Sequence, residues 1–295
     1  MTAQRHTLSG AAVQLGSLVS VNFGSAVAGL LIPVVGVVPV VAARQLVTAA
    51  TLAPFWRPTR ASLTWRRLWP ALALGLALIG MNLSFYLAVH LLGLGIAAVL
   101  EYLGPFALAV LGSRRLIDGV CAVGAALGVV LLSEASGRLD PLGVAAALAA
   151  AAFWAAYILL TRRVALTLPG LEGITVASIV TTAISLPLAI AMIAWRAVTL
   201  ADWLMLLALG VLSSAVPYSL DAFVLRRLTP RIYAVVTAFG PVVAAVFGWL
   251  VLRESFTAAM IAGIGLVVAS SAVAILSHRE PDSQLRAVTP EEPAA

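Results

Sequence analysis

Long apolar runs follow one another along most of this chain, and short polar breaks separate them. A helix needs about 17–25 predominantly apolar residues to cross a lipid bilayer. Ten runs have this length, and each is predicted to form a membrane-spanning helix: 10–31, 33–54, 68–88, 90–112, 115–133, 141–162, 171–195, 201–222, 229–251 and 256–276. The sequence therefore predicts an all-α polytopic membrane protein with ten transmembrane helices.

The composition favours lipid over water as the solvent of this fold. The chain is 62% hydrophobic and 10% charged, whereas soluble domains are about 45–50% apolar and about 25% charged. The net charge of +6 is spread over the segments between the runs, so it does not form the clustered basic face that nucleic-acid binding requires. We therefore expect the lipid bilayer to be a partner of this chain, and not a nucleic acid.

The residues that usually build metal sites are few and scattered. Cys121 is the single cysteine, and the three histidines, His6, His90 and His278, are far apart along the chain. Metal sites and nucleophile–base pairs need several such groups close together. We therefore expect no metal and no cofactor, and a membrane-embedded enzyme is the less favoured interpretation.

The arginines predict the orientation of the chain in the membrane. If the N-terminus is cytoplasmic, 14 of the 18 arginines fall in cytoplasmic segments, three in outer loops and one inside a span. Cytoplasmic loops of membrane proteins carry an excess of positive charge. We therefore predict a multi-pass protein of the plasma membrane with both termini in the cytoplasm.

The two halves of the chain are related by an internal repeat. With a shift of 136 residues, Leu94–Asp118 and Pro230–Glu254 agree at nine of 25 positions, and Asp118 aligns with Glu254. Each half contains five predicted spans, an odd number, so the second half is inverted in the membrane. Inverted repeats with interrupted helices are typical of secondary transporters, whose binding site lies near the midplane. The predicted five-helix repeats are 10–135 and 138–277, followed by a disordered cytoplasmic tail, 278–295.

Local motifs extend over nearly the whole chain. They are FGSAVA (23–28), PVVG (33–36), an arginine at 44, LGIAAVLEYLGP (94–105), SRR (113–115), FWAAYIL (153–159) and PYSLDAFVLRRLTPR (217–231). Together with the paired five-helix repeat, these motifs resemble the EamA-type carriers of the drug/metabolite transporter superfamily, and within it the threonine/homoserine exporter branch.

The resemblance implies a secondary transporter that exports small amino acids, similar to threonine or homoserine, from the cytoplasm. It further implies alternating access driven by the proton gradient. Asp221 stands where this branch would be expected to carry a glutamate. The alternatives are an exporter of another metabolite or a drug, and a membrane scaffold without transport activity. The oligomeric state is left open.

Two charged residues lie inside predicted spans. Arg44 and Glu101 each follow the predicted start of their run by 11 residues, so at 1.5 Å per residue both lie roughly 16 Å deep, near mid-bilayer. Ionisable residues at this depth usually have a function. Glu101 is predicted to bind a proton or the ammonium of a zwitterionic substrate, and Arg44 its carboxylate. A purely structural ion pair between them is the alternative.

Glycine–proline pairs predict interruptions in two helices. Gly104-Pro105 follows Glu101, and Gly240-Pro241 occupies the aligned position of the second half. Because proline lacks an N–H, the carbonyl four residues earlier loses its helical partner. Those residues are Glu101 and Thr237, and exposed backbone of this kind is tolerated where it lines a water-filled cavity. A packing kink without a ligand is the alternative.

Further residues are candidates for the cavity wall or for a gate. Asn22, Thr48, Trp154 and Tyr157 are candidates for the wall, and Trp154 and Tyr157 share one helical face at i and i+3. Asp221 is predicted either to act at the inner gate or to be an interfacial charge. The alternatives for the aromatic pair are packing and anchoring, and His90 is predicted to be interfacial. Small residues repeat every fourth position and predict close helix packing: Gly16, Ser20, Gly24, Ala28, Gly124 and Gly128.

Overall fold

The computed structural model describes residues 2–55, 64–111, 115–135, 139–168, 171–193, 198–217, 220 and 230–277. The regular structure in these ranges is helical. The helices are α1 (Thr2–Val35), α2 (Val37–Leu52), α3 (Trp65–Leu92), α4 (Leu94–Glu101), α5 (Leu103–Leu111), α6 (Leu116–Ala135), α7 (Pro141–Ala165), α8 (Glu172–Met192), α9 (Leu200–Gly210), α10 (Pro230–Thr237), α11 (Gly240–Leu252) and α12 (Ala258–Ser277). A π-helical turn, Val211–Ala215, continues α9.

The helices have the length and composition of a polytopic membrane protein. Six segments are long and apolar enough to cross a membrane: Ser9–Val35, Trp65–Leu92, Leu116–Ser133, Pro141–Ala165, Glu172–Met192 and Val235–Leu252. Four shorter helical segments are also apolar: Val37–Leu52, Leu94–Leu108, Leu200–Ala215 and Ala258–Ala274. Each of the ten predicted runs overlaps one of these segments. The predicted tail, 278–295, and the gate candidate Asp221 lie outside the described residues.

Two predicted helix boundaries are wrong by several residues. The sequence predicts a boundary at Pro33, but α1 continues through this proline to Val35, and the turn falls at Gly36 with φ 88°. It predicts a second boundary near His90, but α3 continues to Leu92 and the turn falls at Gly93 with φ 86°. Glycine adopts positive φ without a steric penalty, whereas membrane helices tolerate an internal proline. The glycines therefore set these turns.

Small residues allow the helices to approach closely at Gly24, Gly124 and Gly128, as predicted, whereas a β-carbon at Gly16 would meet nothing within 4 Å. Gly24 on α1 faces Ser213 of the π-helical turn so closely that a β-carbon would overlap the Ser213 hydroxyl. On α6, a β-carbon at Gly128 would lie 2.7 Å from the Val267 side chain on α12 and 2.8 Å from the Gly263 carbonyl oxygen. Cys121 is buried in a small apolar cluster with Phe106, consistent with a core role.

Two pairs of helices meet end to end. The first half-helix, α4, ends at Glu101, and α5 begins at Leu103. The second, α10, ends at Thr237, and α11 begins at Gly240. The bounds of α10 follow those of α4 by 136 residues at both ends, the same shift that aligns the two halves of the sequence. Both interruptions therefore fall at equivalent positions.

Candidate functional site

A cavity of about 250 Å³ lies where the two half-helices end. Its wall combines polar groups from several helices with aromatic side chains. It includes six residues that the sequence predicted as candidates: Asn22, Arg44, Glu101, Trp154, Tyr157 and Thr237. It also includes several that were not predicted: Gln14, Ser17, Ser25, Asn82, Tyr102 and Tyr233.

The guanidinium of Arg44 is fixed by three groups. Its Nη1 donates hydrogen bonds to Asn82 Oδ1 and to the Tyr86 hydroxyl, both at 3.0 Å, and its Nη2 donates to the Ser213 carbonyl at 3.4 Å. The Tyr86 ring also lies under the guanidinium, 5.9 Å from Cζ to the ring centroid. Asn82 and Tyr86 are almost completely buried. This arrangement holds the positive charge at one wall of the cavity.

Glu101 is the last residue of α4 and borders the same cavity. Arg44 lines the same cavity, and its guanidinium donates hydrogen bonds to Asn82, Tyr86 and the Ser213 carbonyl. Arg44 and Glu101 each lie seven residues after the start of their helix, which is about 10 Å along the axis. The cavity is thus lined by one arginine and one glutamate side chain, at equal distances along their own helices.

The aromatic part of the wall comes from the first break and from α7. Tyr102, in the turn between α4 and α5, packs edge-on against Trp154, with ring centroids 4.7 Å apart and an angle of 90°. Tyr157 lies one turn further along α7 and also lines the cavity. These rings line the same cavity as Glu101.

The glycine–proline pairs lie at the start of the second half-helix and not at the end of the first. Gly104 and Pro105 are in the first turn of α5, and Gly240 and Pro241 open α11. Each glycine is also a point of close contact. A β-carbon at Gly104 would overlap the backbone of Ala151, and one at Gly240 would overlap the Tyr102 hydroxyl. The glycines of both pairs therefore have a packing role.

Thr237 occupies the position in the second break that Glu101 occupies in the first. Its hydroxyl donates to the Tyr233 carbonyl at 2.9 Å and accepts a hydrogen bond of 3.4 Å from Gln14 Nε2. Gln14 is buried on α1. The second break is therefore uncharged and is bound to α1 by a neutral hydrogen bond.

The remaining candidates have different positions. Asn22 lines the cavity, and its amide donates to the Leu18 carbonyl at 2.8 Å. Thr48 is buried on α2 and donates to the Arg44 carbonyl at 2.9 Å, so it supports α2 and is absent from the cavity wall. His90 is exposed in the last turn of α3, where the sequence predicted an interfacial residue. Within the described ranges, no group of three His, Cys, Asp or Glu side chains could hold a metal ion.

The support of Arg44 was not predicted, although part of it leaves a signal in the sequence. Asn82 and Tyr86 are polar residues at i and i+4 in an apolar run, which places them on one helical face. A polar pair of this kind inside a span needs a partner, and Arg44 provides it. The Ser213 carbonyl comes from a π-helical turn, and such turns are frequent at functional sites.

Comparisons with known proteins agree with this architecture. The EamA-like transporter family matches residues 141–276. The chain is 34% identical over 278 residues to the threonine/homoserine exporter RhtA of Salmonella typhimurium strain SL1344, covering 91% of this chain and 92% of that protein. It is 33% identical over 276 residues to the threonine/homoserine exporter RhtA of Escherichia coli strain K12, with the same coverage. A solved crystal structure shares the fold with a TM-score of 0.61 and 23% identity, covering 90% of this chain and 98% of that one.

Proposed function

Because this chain belongs to the EamA-like transporter family, we propose that it exports small amino acids similar to threonine or homoserine across the plasma membrane. The membership also removes the membrane-embedded enzyme from consideration, because the matched relatives are exporters. The substrate class is supported by the two exporters that share about nine-tenths of their length with this chain.

The observation that carries the proposal is that an arginine and a glutamate side chain line one small cavity. A free amino acid has an ammonium and a carboxylate a few ångströms apart. Arg44 presents a planar fork of donors that suits a carboxylate, and Glu101 presents a carboxylate that suits an ammonium. The volume of about 250 Å³ is below the range of about 300–1,000 Å³ that is usual for drug-sized ligands. A small zwitterion fits this site better than a large lipophilic drug.

The coupling mechanism assigned to the site is proton exchange at Glu101. An ionisable residue inside a membrane protein usually marks a proton relay or a substrate path, and Glu101 borders the same cavity as Arg44. In this mechanism Glu101 takes up a proton when the cavity faces outside and releases it to the cytoplasm after the substrate has left. The two half-helix pairs form the elements that rock against each other to give alternating access.

The proposed architecture has ten membrane-spanning helices in two inverted repeats, 10–135 and 138–277, with both termini and the tail 278–295 in the cytoplasm. The equal spacing of α4 and α10 supports the repeat, and the arginine distribution supports the orientation. The test replaces Cys121 and places single cysteines at positions 115 and 138. An impermeant thiol reagent added to intact cells should label position 138 and spare position 115. Labelling of position 115 but not of position 138 would show the opposite orientation.

The test of the substrate uses inside-out membrane vesicles that contain the full chain. Labelled threonine and homoserine should accumulate in vesicles with an acidic lumen, because protons leaving the lumen drive substrate into it. Accumulation should fall when the pH gradient is dissipated, and should be absent from vesicles without the protein. Transport of lipophilic cations alone would refute the amino-acid proposal and support a drug exporter.

A further inference from the structure

The segment between α11 and α12 binds the start of the half-helix that carries Glu101. This connector, residues 253–257, is not helical. The Glu254 carboxylate accepts hydrogen bonds from two backbone N–H groups, those of Leu94 at 2.5 Å and Gly95 at 3.1 Å. The free N–H groups at a helix start favour an anion, and here the anion comes from a residue 160 positions away in the chain.

Three glycines make room for this contact. A β-carbon at Gly93 would lie 2.8 Å from Glu254 Oε1, and one at Gly248 would overlap Oε2. At Gly95 a β-carbon would lie 2.7 Å from the Phe256 ring. The connector thus packs directly against the start of α4, and side chains at the three glycine positions would prevent this contact.

The backbone of the connector is also strained at the position before Glu254. Arg253 has φ 60° and ψ 28°, a left-handed conformation that costs a residue with a β-carbon free energy. Such conformations persist only when their surroundings impose them. The Glu254 N–H donates to the Gly248 carbonyl at 3.0 Å, which fixes this turn. The geometry therefore directs the carboxylate toward α4.

The connector crosses an open part of the molecule. A groove of about 820 Å³ separates α11 from α12, and its wall includes Arg253, Glu254 and Phe256. Along its length α11 packs instead against α1 and α4. The Glu254 carboxylate therefore binds α4 beside the groove between α11 and α12, where packing is loose.

Building on the proposed function and orientation, we propose that Glu254 is a positioning residue that latches the outer end of α4 and keeps the outer path to the cavity closed. We call the contact of the Glu254 carboxylate with the start of α4 the latch. The latch and Glu101 lie at opposite ends of this eight-residue helix, about 10 Å apart along its axis. Release of the carboxylate frees the start of α4 and lets the outer end of the cavity open. Export requires this release once in each cycle.

Asp118, the residue aligned with Glu254 in the first half, also accepts a hydrogen bond from the other half of the chain. It is 1% exposed and accepts a hydrogen bond from the Ser277 hydroxyl at 3.1 Å, at the end of α12. In the proposed inverted arrangement this contact lies on the cytoplasmic side. The acid of each half is therefore tied to the other half.

The test measures access to the cavity from outside and does not depend on the substrate. Ser25 lines the cavity, and Ser25→Cys, in a chain whose Cys121 is replaced, reports the outer path through labelling by an impermeant thiol reagent on intact cells. Glu254→Gln removes the charge and one acceptor, and Gly248→Ala displaces the carboxylate without changing any charge. Both should raise the labelling rate roughly tenfold, because charge-assisted hydrogen bonds are lost.

Two matched controls should leave the rate unchanged. Asp202→Asn removes an acid that caps only its own helix, α9, and Gly265→Ala adds a β-carbon where nothing lies within 4 Å. Glu254→Asp keeps the charge and should fall between Glu254→Gln and the parent chain. Labelling at the parent rate in both Glu254→Gln and Gly248→Ala, with normal amounts of protein in the membrane, would overturn the latch. A substrate other than an amino acid would refute only the proposed function.

Discussion

The two breaks that meet at the cavity have the same backbone plan and different chemistry. The half-helices α4 and α10 each contain eight residues, and each is followed by a glycine–proline pair in the first turn of the next helix. One ends in the carboxylate Glu101 and the other in the hydroxyl of Thr237. A repeated backbone thus supplies a symmetric framework, and a difference at one aligned position decides which half carries the charge.

The largest effect is expected from removing the carboxylate of Glu101, which distinguishes the first break from the second. Glu101→Gln should abolish gradient-driven uptake of labelled threonine into inside-out vesicles, because the amide keeps the size of the side chain but cannot exchange a proton. If Glu101 carries the proton, exchange without a gradient persists. If it binds the substrate ammonium, exchange is lost as well. Full gradient-driven activity in this variant would exclude both roles.

Arg44→Gln should have the next largest effect. It removes the hydrogen bonds to Asn82, Tyr86 and the Ser213 carbonyl together with the positive charge. We expect the apparent KM for the amino acid to rise roughly tenfold or more, because hydrogen bonds to charged groups contribute about 1.5–3 kcal/mol. The control is the double variant Glu101→Gln with Arg44→Gln. If it regains both folded protein and transport, the two residues form a structural pair instead.

Replacing Gly104 or Gly240 with alanine should show how tightly each break is packed. Overpacking typically costs about 1–3 kcal/mol. Gly104→Ala should be the more damaging change, because it meets the backbone of Ala151, whereas Gly240→Ala meets the end of the Tyr102 side chain, which can move. The measurement is the thermal unfolding midpoint in detergent, with Gly265→Ala as control. Equal shifts for both variants would contradict this explanation.

The smallest effect is expected at the uncharged break. Thr237→Val keeps the shape of the side chain and removes its hydrogen bonds to Gln14 and to the Tyr233 carbonyl. A neutral hydrogen bond contributes about 1 kcal/mol, so we expect transport to continue with a few-fold change in apparent affinity. Gradient-driven uptake should keep its pH dependence. Complete loss of coupling in Thr237→Val would show that the two breaks share the charge-carrying role.

Hydropathy predicts the helices of this chain well because spanning a bilayer requires long apolar segments. It places the boundaries less well. Proline at position 33 suggests a boundary, but the preceding helix accommodates it, and the turn occurs where Gly36 can adopt positive φ. Sequence reasoning weighs residue types one at a time, whereas the turn position depends on how both neighbouring helices pack.

A cavity residue can be predicted from the sequence when it is a charged or polar residue inside an apolar run. Arg44 and Glu101 stand out because charges inside spans are rare. Asn82 and Tyr86 stand out less, since uncharged polar groups are more easily accommodated. The contact of the Tyr102 hydroxyl with Gly240 leaves no local signal, because it joins residues from different halves of the chain. Contacts of this kind depend on tertiary packing.

The π-helical turn Val211–Ala215 sets the angular position of Val216 and Pro217, which follow it in the helix. A turn closed by i→i+5 hydrogen bonds contains one more residue than an α-helical turn, and one residue of an α-helix corresponds to about 100° of rotation. Deleting a single residue here would rotate the Ser213 carbonyl away from Arg44 and Pro217 away from the cavity wall. The loss of one residue here would thus turn the side chains that follow toward a different face of the helix. A surface loop could lose one residue without such a rotation.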